Sequence, residues 1–193
     1  QKGAPVISMV IDKNDLYSST GLFNHTFEKG RNWERFCFVS YFDKGKLLFA
    51  TGAGVRIHGG TSRRNSPYSL RLYFREMYGA EQFKTNLIFT PSCEPIKHLI
   101  IHNDKRYWHF QNPFAYDISG KIGCITVETK PVKLFLNGER YGHGAYVLTE
   151  HLSKQYLEAH YGEKNFLFVR TKDLKFGNGP DEYVDCLLYT SPS

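Results

Sequence analysis

Two stretches separated by a turn-rich loop decide the fold of this chain: Gly54-Val-Arg-Ile-His-Gly-Gly-Thr-Ser-Arg63 and Ser69-Leu-Arg-Leu-Tyr-Phe-Arg75. In the second stretch, two leucines and Phe74 alternate with Arg71 and Tyr73, and this period of two predicts a strand with one apolar face. The segment Val55–His58 predicts a partner strand, because the intervening loop is rich in Gly, Ser, Asn and Pro. The pair predicts two strands that run in opposite directions.

Similar short apolar segments recur along the chain and predict a sheet. Two turn signals, Asp43-Lys-Gly45 and Asn137-Gly138, predict hairpins. The other predicted strands are Pro5–Asp12, Trp33–Phe42, Lys46–Ala50, Lys97–His102, Lys130–Leu136, Tyr146–Thr149 and Phe166–Arg170. Because most connections are too short for crossovers, we predict an α+β fold, a mostly antiparallel β-sheet with few helices.

The clearest helical pattern covers Thr149–Tyr161. Thr149 is a suitable N-cap, Glu150 falls in the first turn, and Gly162 is suited to end the helix. The segment Arg106–Ser119 is a weaker helical candidate because it contains Pro113. The predicted core comprises Leu70, Leu72, Phe74, Leu134, Leu136, Leu152 and Tyr156.

Composition and charge narrow the class of protein. The chain has 193 residues, of which 41% are hydrophobic, and a formal net charge of +6. These values indicate a folded globular domain rather than a disordered chain. No run of about 18 apolar residues occurs, which argues against a membrane-spanning helix, and no nucleic-acid-binding motif appears.

The cysteines and the last residues give two further expectations. No two cysteines are spaced as C-x-x-C, which argues against a zinc ribbon, and we expect Cys37 and Cys124 to be buried thiols. The final octapeptide, residues 186–193, resembles a translated sequencing adapter. We expect it to be a non-native tail without a defined partner, following an authentic chain that ends at Asp185.

The loop between the two deciding strands could hold an anion. Gly59 and Gly60 allow backbone N–H groups to approach an anion, and Ser62 adds a hydroxyl donor. Arginines supply positive charge, at Arg56, Arg63, Arg64 and Arg71. The alternative is an ordinary surface loop between two strands.

Other polar residues give weaker signals. His98 and His102 are four apart in a strand-like stretch, but no carboxylate completes a metal-binding motif, so we predict no metal site in this chain. Glu150 could orient a cation beside the sheet, or it could simply favour the helix dipole.

Taken together and in order, these segments resemble the CotH family of atypical kinases. The likeness is carried by Pro5–Asp12 with Trp33-Glu-Arg35, by the two deciding stretches with Tyr78-Gly79, and by Val132–Glu139 running into Tyr146–Glu150. It spans roughly residues 5–169. The resemblance implies the N-terminal part of a divergent kinase-like fold, with residues 1–185 forming a kinase domain truncated at both ends.

The resemblance also implies a function. The family's members transfer the γ-phosphoryl of ATP, with Mg²⁺ or Mn²⁺, to Ser residues of a protein substrate, and they belong to the spore coat, cell envelope or extracellular space. In that picture Arg56, the loop from Gly59 to Arg63, and Arg71 face the phosphates, while Glu150 helps order the site.

Two departures leave other functions open. Pro67-Tyr68 stands where the family commonly has a Lys, and the family's catalytic and metal-binding Asp residues are expected downstream of this chain. We therefore expect the chain alone to be inactive and to contain no catalytic residue. The alternatives are an inactive scaffold protein of the coat or envelope, and a carbohydrate-binding β module that uses Trp33 and Trp108.

Overall fold

The computed structural model describes residues 3–79, 88–89, 96–103, 111–124, 126–142, 146–151 and 156, with the backbone of 166–167 and 189–190. The chain divides into two compact units, residues 1–151 and 152–193. Within its described residues, the first contains two α-helices, α1 (Lys13–Tyr17) and α2 (Gln111–Lys121), and eight strands: β1 (Val6–Val10), β2 (Arg35–Asp43), β3 (Lys46–His58), β4 (Ser69–Tyr73), β5 (His98–Asn103), β6 (Thr129–Leu136), β7 (Glu139–Arg140) and β8 (Tyr146–Glu150).

The sheet of the first unit closes on itself. The strand order is β1-β2-β3-β4-β5-β8-β6-β7, and β1 also pairs with β6. The β1–β6 pairing is parallel and the other pairings are antiparallel. The predicted α+β fold with a mostly antiparallel sheet is therefore confirmed, and closure adds a barrel-like form that the short strand patterns did not indicate.

Side-chain alternation separates the inside of the barrel from its outer face. Strand β3 directs Val55 and Ile57 inward, and the neighbouring β4 adds Leu70 and Leu72 to the same core. The other predicted core residues that the structure describes, Phe74, Leu134, Leu136 and Tyr156, are also buried. Leu152 lies outside the described residues.

The predicted turns have the backbone that their sequences favour. Lys44 and Gly45 join β2 to β3 with φ of 51° and 77°, and Asn137 and Gly138 join β6 to β7 with φ of 52° and 86°. The Asn137 side chain also exchanges two hydrogen bonds with the backbone of Ile11, at 2.8 and 2.9 Å. This turn therefore ties the end of β6 to the end of β1.

Several sequence predictions need correction. The helix does not begin at Thr149, because Thr149 and Glu150 lie in β8, where Thr149 pairs with both Ile100 and Thr129. Pairing on both sides uses the backbone in an extended form, so Thr149 is no helix cap. Of the remaining predicted helix, His151 and Tyr156 are described; His151 has no regular secondary structure, and Tyr156 is helical.

Three smaller predictions were also wrong. The segments around Ala50 and Val55 form one continuous strand, β3, rather than two. Cys37 is buried as predicted, but Cys124 is exposed, because it follows the exposed helix α2. In the second unit, β10 (Tyr189–Thr190) pairs with β9 (Phe166–Leu167), so the final octapeptide does have a backbone partner.

Candidate functional site

A polar surface lies on the outer face of the barrel across β3, β4 and β5. Arg56 pairs with Arg71 across β3 and β4, and Tyr73 pairs with His98 across β4 and β5. These positions alternate with the inward leucines, so their side chains share the outer face. The sequence pattern of the two deciding stretches therefore produces one polar surface, which we call the arginine face: Arg56, His58, Arg71, Tyr73, Arg75 and His98.

Glu34 is the buried anchor of this face. Its carboxylate accepts two hydrogen bonds from Arg56, at 2.9 and 2.6 Å, and two from Arg75, at 2.8 and 3.2 Å. Only 1% of the Glu34 side chain is exposed. Burial alone raises the pKa of this carboxyl group, but the hydrogen bonds and charges of Arg75 and Arg56 outweigh burial and hold the pKa below its ordinary value.

Gly54 makes the position of Glu34 possible. A Cβ atom on Gly54 would lie 2.6 Å from Oε1 of Glu34, which is closer than side chains tolerate. The absent side chain therefore gives the carboxylate its place against β3, beside Arg56. Gly54 therefore contributes to the site because it has no side chain.

Three arginine side chains surround the aromatic ring of Tyr73. The guanidinium group of Arg56 lies 4.0 Å from the ring centroid, that of Arg75 lies 5.4 Å away, and that of Arg71 lies 5.9 Å away. Cations at these distances from an aromatic face are attracted by its quadrupole. Three guanidinium groups thus converge on one ring, while Glu34 supplies the one carboxylate that the described residues place against them.

Arg71 differs from the other two arginines in the hydrogen bonding of its Nε atom. This atom is buried, and no described residue accepts a bond from it. Arg56 and Arg75, in contrast, both donate to Glu34. A buried donor without an acceptor is unfavourable, so the Arg71 guanidinium is the group on this face best placed to receive an anionic ligand.

Histidines lie on both sides of Arg71. His58 pairs with Ser69, and His98 pairs with Tyr73, two residues before and two residues after Arg71 on β4. Burial, with added repulsion from Arg71 and other cations, lowers the pKa of His58 to about 3 and that of His98 to about 4. Both imidazoles are therefore neutral near pH 7.

Arg63 holds the loop that precedes β4. Its guanidinium donates to the carbonyl oxygens of Gly59, Thr26, Glu28 and Ile57 at distances of 2.6 to 2.9 Å. The Arg63 side chain is buried. These four bonds fasten the loop to the end of β3 and occupy donors that the sequence suggested for phosphate.

The glycine loop itself is tightly turned. Gly59 has a φ of 113°, and a Cβ atom there would lie 2.2 Å from the Ser62 hydroxyl oxygen. Gly60 precedes a 3₁₀ turn, Thr61–Arg64, in which Ser62 is exposed. The two glycines thus allow the turn that places Ser62 directly over Gly59.

Glu150 lies on the other face of the sheet. It pairs with Leu99, which pairs with Leu72, so alternation places it with the barrel core rather than with Arg71. Burial, together with the charge of Glu128, raises the pKa of Glu150 to about 7. The structure therefore brings Arg56 and Arg71 together and separates Glu150 from them.

The sequence analysis did not assign to the site six residues that contact or flank its arginines: Glu34, Gly54, Tyr73, Arg75, His58 and His98. Glu34 was hidden because it lies outside the two deciding stretches, and only the pairing of β2 with β3 brings it to Arg56. The period of two was a signal that could have placed Gly54 and His58 on one face with Arg56, and Tyr73 on one face with Arg71. Within the described residues, no His, Cys, Asp or Glu cluster is suited to hold a metal ion. No helix among them is long and apolar enough to cross a membrane.

Comparison with known proteins identifies the family. No curated protein sequence shows significant similarity to the chain. A family model described as "CotH kinase protein" matches residues 55–185. That match covers more than half of the chain and includes both deciding stretches from Val55 onward, with Arg56, Arg71 and the loop between them. The chain therefore belongs to the CotH kinase protein family.

Proposed function

We propose that this chain is the nucleotide-binding part of a CotH-like protein kinase, and that the arginine face receives the phosphates of ATP. In this proposal the γ-phosphoryl group passes to Ser residues of a coat or envelope protein. Family membership supports the general class of protein. The arginine face supports the proposed place of the phosphates.

The observation that carries the proposal is the buried Nε of Arg71, which no described residue satisfies. Phosphate oxygens bind guanidinium groups through short charge-assisted hydrogen bonds. The surrounding charge favours an anion as well, because Arg56, Arg71 and Arg75 outnumber Glu34. An anion beside Arg71 would satisfy the donor and balance this positive charge.

The remaining predicted site residues would act in different ways. Arg56 is held by Glu34 through Nε and Nη2, so it contributes charge at a fixed position. Arg63, through its bonds to Gly59 and Ile57, would shape the glycine loop. Glu150, on the inner face, would act on the site only through the packing of β8 and β5.

A kinase also needs a divalent metal ion, which would neutralise charge on the phosphates. The described residues fit the phosphates but offer no cluster of carboxylates for Mg²⁺ or Mn²⁺. The resemblance assigns the metal-binding and catalytic Asp residues to positions downstream of the Phe166–Arg170 segment. We propose accordingly that this chain binds nucleotide weakly and does not transfer phosphate by itself.

An inactive scaffold is the second candidate function. Pro67-Tyr68 stands in place of the family's usual Lys, and an arginine does not replace a lysine without cost. Two nitrogens of Arg56 and all three nitrogens of the Arg63 guanidinium are also engaged within the protein, which leaves fewer groups for a nucleotide. In this alternative the arginine face has only a structural role.

Nucleotide binding to the chain distinguishes the two functions. We would measure ATP affinity by calorimetry for the wild type, for Arg71→Gln, and for Arg140→Gln as a control with the same charge change at an exposed position on β7. The proposal predicts at least about a tenfold loss for Arg71→Gln, equal to the roughly 1.5–3 kcal/mol of a charged hydrogen bond, and little change for Arg140→Gln. Circular dichroism would verify that both variants fold. Absence of ATP binding to the folded wild type would favour the scaffold.

A further inference from the structure

The two histidines beside Arg71 suggest how an anion would change the site. His58 and His98 flank Arg71 along one face of the sheet, each paired with a residue two positions from it. The charge of Arg71 acts on both rings, so an anion that binds its guanidinium from this face would act on both with the opposite sign. The inference that follows rests on the proposed function, because it concerns the same anion-binding position.

We infer that anion binding at Arg71 is coupled to proton uptake by His58 and His98, so that the site binds a phosphate-like dianion more tightly as the pH falls.

The charged neighbours of His58 explain why it is neutral without an anion. Arg71 on β4, Arg63 in the loop, His102 on β5 and His151 after β8 all face it. Each of these groups is positive or can become positive. With burial, their repulsion disfavours the protonated ring, and the pKa of His58 falls to about 3.

Burial and nearby cations also lower the pKa of His98, but here one carboxylate opposes them. Arg71, Arg75 and Arg56 lower its pKa, while Glu34 raises it, and burial is the largest cause of the net decrease to about 4. Its ring meets Tyr73 edge-on at 4.9 Å and His151 at 5.7 Å between centroids. Because Glu34 is already bound by two arginines, it does little to stabilise a histidinium ion.

A bound dianion would reverse this balance. Two negative charges beside Arg71 would favour the protonated form of either imidazole and raise its pKa. The free protein would then stay unprotonated at these histidines between pH 5 and 8, while the complex would take up protons in that range. By linkage, affinity is greatest at low pH and falls as the pH rises through the pKa of the complex. A return of one ring to its ordinary pKa of about 6.5 would make binding about tenfold tighter at pH 5.5 than at pH 8.

Sulfate is the best probe, since it remains a dianion throughout this range whereas the terminal phosphate of ATP titrates within it. We would follow the imidazole C–H resonances by NMR from pH 5 to 8, with and without saturating sulfate, and assign them with His58→Gln and His98→Gln. We expect both resonances to be flat without sulfate, and at least one to titrate above pH 5 with it. His25→Gln is the control, because His25 is not part of the arginine face: its ring lies tilted against Trp33 and contacts the carbonyl oxygen of Ser19.

The outcomes separate this inference from the proposed function. Sulfate binding with unchanged histidine resonances, or with the same affinity at pH 5.5 and 8, would overturn the proton coupling and leave the proposed function standing. Absence of binding by both sulfate and ATP at every pH would overturn the proposed function itself. If a histidine variant fails to fold, the sulfate affinity of the wild type at pH 5.5 and 8 still decides the matter.

Discussion

Replacement of Glu34 by Gln tests the organisation of the arginine face most sharply. The substitution keeps the shape of the side chain and removes its charge. The carboxylate now accepts four hydrogen bonds from Arg56 and Arg75, with only 1% of the side chain exposed. In Glu34→Gln, an amide NH₂ group would face guanidinium donors, and two partly buried cations would lose their counter-charge.

We expect Glu34→Gln to lower the free energy of unfolding by a large amount for a single isosteric change. Removal of one partner from a buried ion pair typically costs about 3–5 kcal/mol. Arg75 is 31% exposed and can recover some hydration, so we expect the lower part of that range. Urea denaturation at pH 7 would measure the loss, and Glu76→Gln, an exposed carboxylate on the neighbouring 3₁₀ turn, is the matched control.

The pH dependence of stability gives an independent check. The folded protein holds the pKa of Glu34 below the value in the unfolded chain, so its stabilising contribution is present above the unfolded pKa and is lost as the pH falls through the folded pKa. The wild type should therefore lose stability more steeply than Glu34→Gln below about pH 4.5. If Glu34→Gln matches Glu76→Gln in stability at pH 7, the carboxylate does not organise the face and the reasoning fails.

Two further predictions follow from contacts in the barrel, and a third concerns the final octapeptide. Gly54→Ala should lower stability by roughly 1–3 kcal/mol in a urea melt, since its Cβ would lie 2.6 Å from Glu34; an unchanged midpoint would contradict this geometry. Arg63→Gln should lower the melting temperature far more than Arg64→Gln, because only Arg63 makes four bonds to buried or partly buried carbonyl groups. We also expect amplified genomic DNA to diverge from the present sequence after Asp185, and recovery of codons for residues 186–193 in the genome would disprove a foreign tail.

The local pattern of apolar and turn-forming residues was sufficient to predict most strands of the sheet. The alternation around Leu70 and Leu72 identified β4 and its buried side, and Asn137-Gly138 identified the β6–β7 turn. These features depend on neighbouring residues and on the period of a strand. They can therefore be predicted from a single sequence.

Features that depend on distant pairing were not predictable in the same way. Thr149 and Glu150 have a sequence that suits a helix start, yet pairing of β8 with β5 and β6 extends them. Tertiary pairing thus overrode local preference, and it moved Glu150 to the opposite face from Arg71. Closure of the barrel also depends on β1 meeting β6, more than a hundred residues later.

The candidate site was predicted in part for the same reason. Arg56 and Arg71 were singled out by charge and do face one another across β3 and β4. What charge alone could not show is that Glu34 engages Arg56, while Arg71 keeps a buried donor without a partner among the described residues. The distinction between a structural arginine and a candidate ligand-binding arginine required the contacts themselves.

The most direct test of the account is ATP affinity of the folded chain, compared between the wild type, Arg71→Gln and the exposed-site control Arg140→Gln at low and high salt. The account predicts weak binding by the wild type that declines as salt screens the charges, a loss of at least about tenfold in Arg71→Gln, and little change in Arg140→Gln. Equal affinity of Arg71→Gln and the wild type, or no binding by the folded wild type at low salt, would contradict it.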